Sequence, residues 1–431
     1  MEKKYLKRYP IGNPRRLWKQ DYYRLSTFSP GCVFFKEDDP NAVEKMRRAV
    51  KTCADAGFNL LELGWATTTQ SDAAVRRCEE LGIDIIYQNL RRYGGMGTGH
   101  KCEVSDLPGV MNEYRKWKSV IGYYIWDEPL FAEQMNETRR LMDICEREKP
   151  VGLAFVVAIP SYNTSFTWQN GLFPQYFKDY ADVIDPVVFS FDYYPVGMKE
   201  HDRVRQLDES LMWCDLGLAK KVADEHDMPL WFYYQGQNLH HVEEFIFPMV
   251  RLMMNAGALY GAKGLQHYTA WESVVDIDGG HGEFFEDQKA IHAEFRELGN
   301  TLMAIEFKRV IHDASLLPGS PYIEGLAASM QESELLEGEL PYRTSVSEHE
   351  DAYGNKYLMV LNRDYLRETD LTVSLKANCR VYEVSKEDGE QYVVAENAKE
   401  IKAHYIPGEM KLFRIQLAEE EAYQIEYVLD K

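Results

Sequence analysis

Val120-Ile121-Gly122-Tyr123-Tyr124-Ile125-Trp126-Asp127-Glu128-Pro129 is a β-rich apolar run that ends in two carboxylates and a proline. Pro129 has no N–H to give, so the ladder stops there and the acids stand at a strand end. Similar short runs flank it on both sides, at 31–35, 58–64, 83–89, 151–160, 187–194, 230–237 and 264–271. With 120–128 they make eight. Each is followed by a helical pattern, the signature of repeated βα units around a parallel sheet.

Two of the intervening helices show how the pattern is read. Residues 41–56 put Val43, Met46, Ala49, Val50 and Cys53 on one face, with Gly57 where a left-handed stop is wanted. In the next, Ser71 stands as N-cap with Asp72 in the first turn; Ala74, Val75, Cys78 and Leu81 form the stripe, and Gly82 ends it. Eight units over about 250 residues fit a closed (β/α)8 barrel better than an open doubly wound sheet. The latter would carry a Gly-rich phosphate turn after its first strand, where Lys36-Glu37-Asp38-Asp39-Pro40 stands instead.

From about residue 307 the pattern changes to strand-like pieces, at 357–361, 371–375, 380–384, 391–395, 411–415 and 423–428. Turn signals such as Asp388-Gly389 and Pro407-Gly408 separate several of them, as in a β-sandwich. The expected fold class is therefore α/β: a (β/α)8 TIM barrel followed by a C-terminal all-β sandwich domain. Its expected division is an N-terminal extension (1–29), a barrel (30–305) and the β domain (306–431).

Composition narrows the function classes. The chain has 431 residues, 45% hydrophobic and 27% charged, which is ordinary globular composition. Its 49 basic and 69 acidic residues leave a net charge of −20, a field that repels nucleic acid and anionic membranes. No signal-like apolar core follows Met1, and no apolar stretch is long enough to span a bilayer, so a cytoplasmic protein is expected. The seven cysteines form no C-x-x-C pair and read as reduced, buried thiols. Aromatic residues reach 13%, with 28 Tyr and 8 Trp. Rings with an exposed face and a polar tip suit a sugar cleft, and most also suit a core.

In a barrel of this kind the site lies at the C-terminal ends of the strands. Strict alternation puts Gly122, Tyr124, Trp126 and Glu128 on one face. If that face is the interior, Glu128 overhangs the mouth, where a neighbouring carboxylate and partial desolvation suit a general acid. The plainer alternative is a strand-end Glu paired with a loop Arg. Ser190-Phe191-Asp192-Tyr193-Tyr194 places Ser190, Asp192 and Tyr194 together; Asp192 is either catalytic or a group that orients a neighbouring Tyr or His. Glu272 follows Trp271 at the end of the eighth run. Trp65, Trp126, Trp168 and Trp271 all fall at or just beyond strand ends, able to stack on a pyranose or to cap the barrel.

At Asp127-Glu128-Pro129 the chain resembles the clan A glycoside hydrolases, (β/α)8 barrels whose acid/base Glu ends strand 4 in an Asn-Glu-Pro type motif. The resemblance implies that Glu128 is the acid/base, that Asp127 replaces the Asn holding a sugar hydroxyl, and that Trp271 floors the sugar site. It departs at strand 7, Trp231-Phe232-Tyr233-Tyr234-Gln235-Gly236-Gln237, which has no carboxylate where that clan carries its nucleophile. An amide cannot form the glycosyl ester. Asp192 or Glu272 is then the expected second carboxylate, with Trp65, Trp126, Asp127, Tyr194, Gln235, Gln237, His267 and Trp271 as substrate-binding residues.

No H-E-x-x-H pair accompanies His240, His241 and His267, and the 276–282 loop has His281 where a calcium loop needs glycine, so neither metal nor another cofactor is expected. The expected function is hydrolysis of a small oligosaccharide or glycoside, with carbohydrate as the partner and room for a homo-oligomer. The alternatives are a carbohydrate-binding barrel that has lost its nucleophile and a non-hydrolytic lyase.

Overall fold

The computed structural model describes residues 2–30, 39–63, 68–87, 107–148, 152–161, 172–197, 209–239, 241–242, 244–316 and 325–430. A first strand, β1 (Glu2–Arg8), lies apart from the barrel. The barrel strands are β2 (Arg24–Phe28), β3 (Leu60–Glu62), β4 (Asp84–Tyr87), β5 (Val120–Asp127), β6 (Leu153–Val157), β7 (Phe189–Tyr193), β8 (Leu230–Gln235) and β9 (Gly264–Tyr268). All their pairings are parallel, in the order β6-β5-β4-β3-β2-β9-β8-β7. The two ends meet where Ala158 bridges Phe191 and its N–H donates to the Ser190 carbonyl at 2.8 Å.

Among the described residues, eight helices alternate with these strands: α1 (Ala42–Asp55), α2 (Thr68–Leu81), α3 (Leu107–Tyr114), α4 (Ala132–Glu148), α5 (Leu172–Asp179), α6 (Glu209–Glu225), α7 (Phe247–Leu259) and α8 (Phe285–Ala304). Met46, Ala49, Val50 and Cys53 of α1 are buried as their spacing requires, whereas Val43 is exposed. Gly57 and Gly82 take the left-handed conformation that ends α1 and α2. The second helix starts at Thr68, ahead of the Ser71 expected as its cap. No helix among the described residues is long and apolar enough to cross a membrane.

The first barrel strand is not where the apolar run at 31–35 suggests. Residues 31–35 lie outside the described ones, and Arg24–Phe28 fills the place between β9 and β3. Its inward residues include Arg24 and Ser26, so it does not read as an apolar run. The segment before it closes the barrel's lower end: Gln20 donates to the carbonyls of Tyr22 and Lys263 and accepts from the Trp231 indole at 2.9 Å.

The C-terminal domain is an antiparallel sheet of β10 (Ile305–His312), β11 (Leu336–Glu337), β12 (Thr344–Asp351), β13 (Lys356–Asn362), β14 (Thr369–Val384), β15 (Gln391–Tyr405) and β16 (Met410–Leu417). The pieces expected at 371–375 and 380–384 are one strand, β14, whose register shifts around Cys379. Alternation along β13 gives the sheet two faces. Tyr357, Met359 and Leu361 join the barrel's core, and Leu358 and Val360 join a separate one with Val346, Phe413 and Ile415. The last strand, β17 (Tyr423–Leu429), pairs in parallel with β1 and so ties the N-terminus to this domain. The Asn255 amide of α7 donates to the Gly408 carbonyl at 2.8 Å and ties the barrel to this domain, within which Arg363 and Asp313 form a buried ion pair.

Candidate active site

The inward face of the barrel is read from contacts that cross it. Phe28 meets Tyr124 at 6.1 Å and Phe155 meets Trp231 at 5.9 Å, so all four rings point inward. Phe155 is paired with Tyr124, but the next pair is Val156 with Trp126, which leaves one residue of β5 extra. Paired residues of parallel strands share a face. Trp126 therefore goes outward with Val156, and Asp127 comes inward with Val157. This corrects the uninterrupted alternation expected for 120–128 and removes buried Trp126 from the sugar-facing side. The Tyr124 hydroxyl donates to Asp127 Oδ1 at 3.0 Å.

Glu128 follows at once. Its φ of 53° turns the chain out of the strand while its N–H still bonds the Val157 carbonyl at 3.1 Å. Its side chain is half-buried.

Asp192 reaches the same place from β7. It is 7% exposed, accepts a hydrogen bond from Tyr194, and has no hydrogen-bond partner at Oδ1. Burial, then the charge of Asp127, pushes its pKa up to about 8, against the Tyr194 hydrogen bond. Burial and the Asp127 charge thus favour the protonated form of Asp192.

Tyr194 stacks on Tyr268 at 4.8 Å, and Tyr268 on Phe28 at 5.5 Å. The Tyr268 hydroxyl is held protonated by burial and by the charges of Asp127, Asp192 and Glu128. The same three charges act on buried Tyr176 of α5, whose oxygen accepts the Ile159 N–H at 3.0 Å. The structure thus brings Asp127, Glu128 and Asp192 into one electrostatic group at the strand ends.

The other expected site residues have different surroundings. Glu272 is exposed in the turn after β9, with a φ of 57°, and is not among the charges acting on Tyr268. Gln235 is occupied by the backbone: it accepts the Val196 N–H at 2.9 Å and donates to the carbonyls of Val196 and Gln237. Gln237 is half-buried beside it, and Trp271 is buried. His267 pairs with Tyr234, whose hydroxyl meets Gln288 of α8, so both face the helices. This corrects the placement of His267 in the sugar cleft; Tyr268, one residue on, has the inward position. Trp65 and Trp168 lie outside the described residues.

Sequence reasoning passed over Glu62. It is fully buried on β3, and its Oε1 accepts from Ser26 Oγ at 2.6 Å and Gln266 Nε2 at 2.7 Å. Gln266 Oε1 accepts in turn from Ser190 Oγ at 2.7 Å. Burial, opposed by its two donors and aided by Asp127, pushes the Glu62 pKa up to about 7. The available signal was a single charge inside the apolar run Leu60-Leu61-Glu62-Leu63. Among the described residues, no three His, Cys, Asp or Glu side chains are grouped to hold a metal ion.

No protein-family model matches the chain, and no curated protein is significantly similar to it. Solved structures are similar in fold. A protein provisionally named alpha-galactosidase, from Bacteroides fragilis NCTC 9343, aligns with a TM-score of 0.53 at 10% identity, over 91% of this chain and 79% of its own. A provisionally named alpha-L-fucosidase from Bacteroides thetaiotaomicron VPI-5482 gives 0.47 at 12%, over 67% and 97%. An arabinofuranosidase from Xanthomonas axonopodis pv. citri gives 0.45 at 8%, over 94% and 97%. At such identities the likeness is one of fold.

Proposed function

We propose that the protein hydrolyses the glycosidic bond of a small oligosaccharide or glycoside, with Asp192 and Glu128 as its working carboxylates. The observation that carries this reading is the convergence of Asp127, Glu128 and Asp192 on Tyr268 and Tyr176 at the rim of the barrel. The provisional alpha-galactosidase that shares the fold supports it. Two carboxyl groups in unlike surroundings are what this chemistry needs: one holds a proton for the leaving oxygen, the other serves the sugar carbon, directly or through water.

The surroundings support one division of the parts. Asp192 is buried in surroundings that favour its protonated form, so it gives its proton to the departing oxygen. Glu128, half-buried at the rim, is the carboxylate that attacks or activates water, an exchange of the roles implied by the Asp-Glu-Pro resemblance. Tyr194, hydrogen-bonded to Asp192 and stacked on Tyr268, holds the acid in place.

Leaving-group dependence tests this assignment. Asp192→Asn should cost ~10² to 10⁴ on an unactivated glycoside and much less on an aryl glycoside with a good leaving group. Glu128→Gln should depress both alike. The opposite pattern returns the donor role to Glu128, full activity in both variants overturns the assignment of these two carboxylates, and a wild type that turns over no glycoside ends the hydrolase reading.

A second reading is favoured by Gln235, whose amide is locked to Val196 at the strand-7 end where the resemblance places a nucleophile. A carbohydrate-binding barrel without hydrolysis would bind an oligosaccharide and release no reducing sugar from it.

A further inference from the structure

Trp231 and Tyr233 of β8 are two residues apart and so face the same side of the sheet. Trp231 meets Phe155 inside the barrel, which sets Tyr233 inward as well. The register agrees. Tyr233 is paired with Asp192 of β7 on one side and with Gln266 of β9 on the other, and paired residues of parallel strands share a face. Tyr233 thus stands beside Asp192, their backbones separated by one strand spacing of about 4.8 Å.

The Tyr233 side chain is buried, 2% exposed. Among the described residues its hydroxyl has no hydrogen-bond partner, and neither has Asp192 Oδ1. On the other side the Gln266 amide is engaged at both ends, accepting from Ser190 Oγ and donating to Glu62 Oε1, each at 2.7 Å. Gln235, the next inward residue of β8, is bonded to the backbone of Val196 and Gln237. A buried hydroxyl left unpaired destabilises a fold, and a phenylalanine would fill the same space without that cost. The hydroxyl is accounted for when its partner arrives with the substrate, as the partner of Asp192 Oδ1 does.

We propose that Tyr233 is a substrate-contacting residue of this site, its hydroxyl donating a hydrogen bond to a hydroxyl of the same sugar whose glycosidic oxygen meets Asp192 Oδ1. This rests on the reading of the site as a glycoside site. It adds the contact by which β8, which has no carboxylate, takes part. A phenol beside a carboxyl oxygen, on adjacent strands and one face, matches two neighbouring oxygens of one sugar ring. The substrate class it selects is a glycoside with a free hydroxyl close to the scissile bond, because a ring lacking that hydroxyl leaves the phenol buried and unpaired.

The test is a cycle between one side-chain oxygen and one sugar oxygen. Wild type and Tyr233→Phe are assayed as full chains on 4-nitrophenyl glycosides, and on the monodeoxy analogues of whichever glycoside wild type binds. Tyr233→Phe should lower kcat/KM on the parent glycoside by roughly 10- to 100-fold. One deoxy analogue should lose about as much in wild type and little further in the variant. Denaturant unfolding should show the variant as stable as wild type or more so, since the free protein loses no bond. Tyr23→Phe is the control. Its hydroxyl is also buried and unpartnered among the described residues, but the ring stacks on Phe295 of α8 at 5.8 Å, just before β2 and opposite the rim, so its kinetics should match wild type. Unchanged turnover in Tyr233→Phe, or penalties that simply add, overturns the inference and leaves the hydrolase reading standing. A Tyr233→Phe chain that is destabilised or unfolded overturns it too, because the hydroxyl then serves the fold. If calorimetry shows wild type binding a glycoside that it does not cleave, the hydrolase reading fails and the cycle is read in Kd, where coupling keeps the inference and additivity overturns it. A wild type that binds none of these glycosides overturns both.

Discussion

Tyr124 and Asp127 lie three residues apart on one strand, yet the hydroxyl of the first donates to the carboxylate of the second at 3.0 Å. In an uninterrupted strand they would face opposite sides of the sheet. The extra residue between the Tyr124–Phe155 and Trp126–Val156 pairs puts them on the same side. That irregularity turns Asp127 into the barrel, where its charge raises the pKa values of both Asp192 and Glu62.

Tyr124→Phe isolates this contact, because the ring still packs on Phe28 and Phe155 when only the oxygen is gone. A hydrogen bond to a charged group contributes about 1.5–3 kcal/mol, so kcat/KM should fall by about 10- to 100-fold. Steady-state kinetics at neutral pH measure it, with a melting curve to confirm the fold. Unchanged turnover would mean that Asp127 needs no such anchor.

The architecture was legible because it is written in periodicity. Apolar runs recur, helical stripes such as Met46, Ala49, Val50 and Cys53 face inward, and Gly57 and Gly82 end their helices. The first strand was missed because inward Arg24 and Ser26 break its apolar pattern. Glu128 and Asp192 were proposed from their positions at strand ends, and both act electrostatically on Tyr268 and Tyr176. Trp126 and Asp127 were given the wrong faces, since a one-residue register shift leaves no trace in composition. Glu62 was overlooked because its two partners, Ser26 and Gln266, come from strands far away in the chain.

The raised pKa of Asp192 has a consequence for stability that activity does not report. Below about pH 4 the side chain is protonated whether the chain is folded or not. Between about 4 and 8 the unfolded chain ionises it while the folded site keeps the proton, so the folded state loses stability as pH rises through that window. Asp192→Asn cannot ionise. Its melting temperature relative to wild type should therefore climb by roughly a few degrees from pH 4 to pH 8 and level off above. Glu62→Gln should show the same sign over a lower window, ending near pH 7. Thermal melts at half-unit pH intervals check both, and a difference that does not vary with pH would contradict the burial of these acids.

His267 supplies the last test, since its sequence position suggests a sugar ligand and its structural position does not. The ring is fully buried, lies edge-on to Phe58 at 5.6 Å and to Tyr234 at 5.3 Å, and has no hydrogen-bond partner at either nitrogen. Burial, with a further push from His292, lowers its pKa to about 3, so it is neutral at any working pH. Replacing two unsatisfied polar atoms by apolar ones of similar volume is neutral or stabilising. His267→Met should then leave KM and kcat unchanged and the unfolding free energy equal to wild type or higher by about 1 kcal/mol. The neighbouring glycine gives the converse. A Cβ at Gly236 would stand 2.1 Å from His267 Nε2, so Gly236→Ala should destabilise by about 1–3 kcal/mol. Combining it with His267→Ala should recover much of that loss beyond additivity, because the contact is then gone. Denaturant unfolding of the two single variants and the double variant measures the coupling. A raised KM in His267→Met, or strict additivity in the cycle, would put the imidazole on the sugar side of the strand after all.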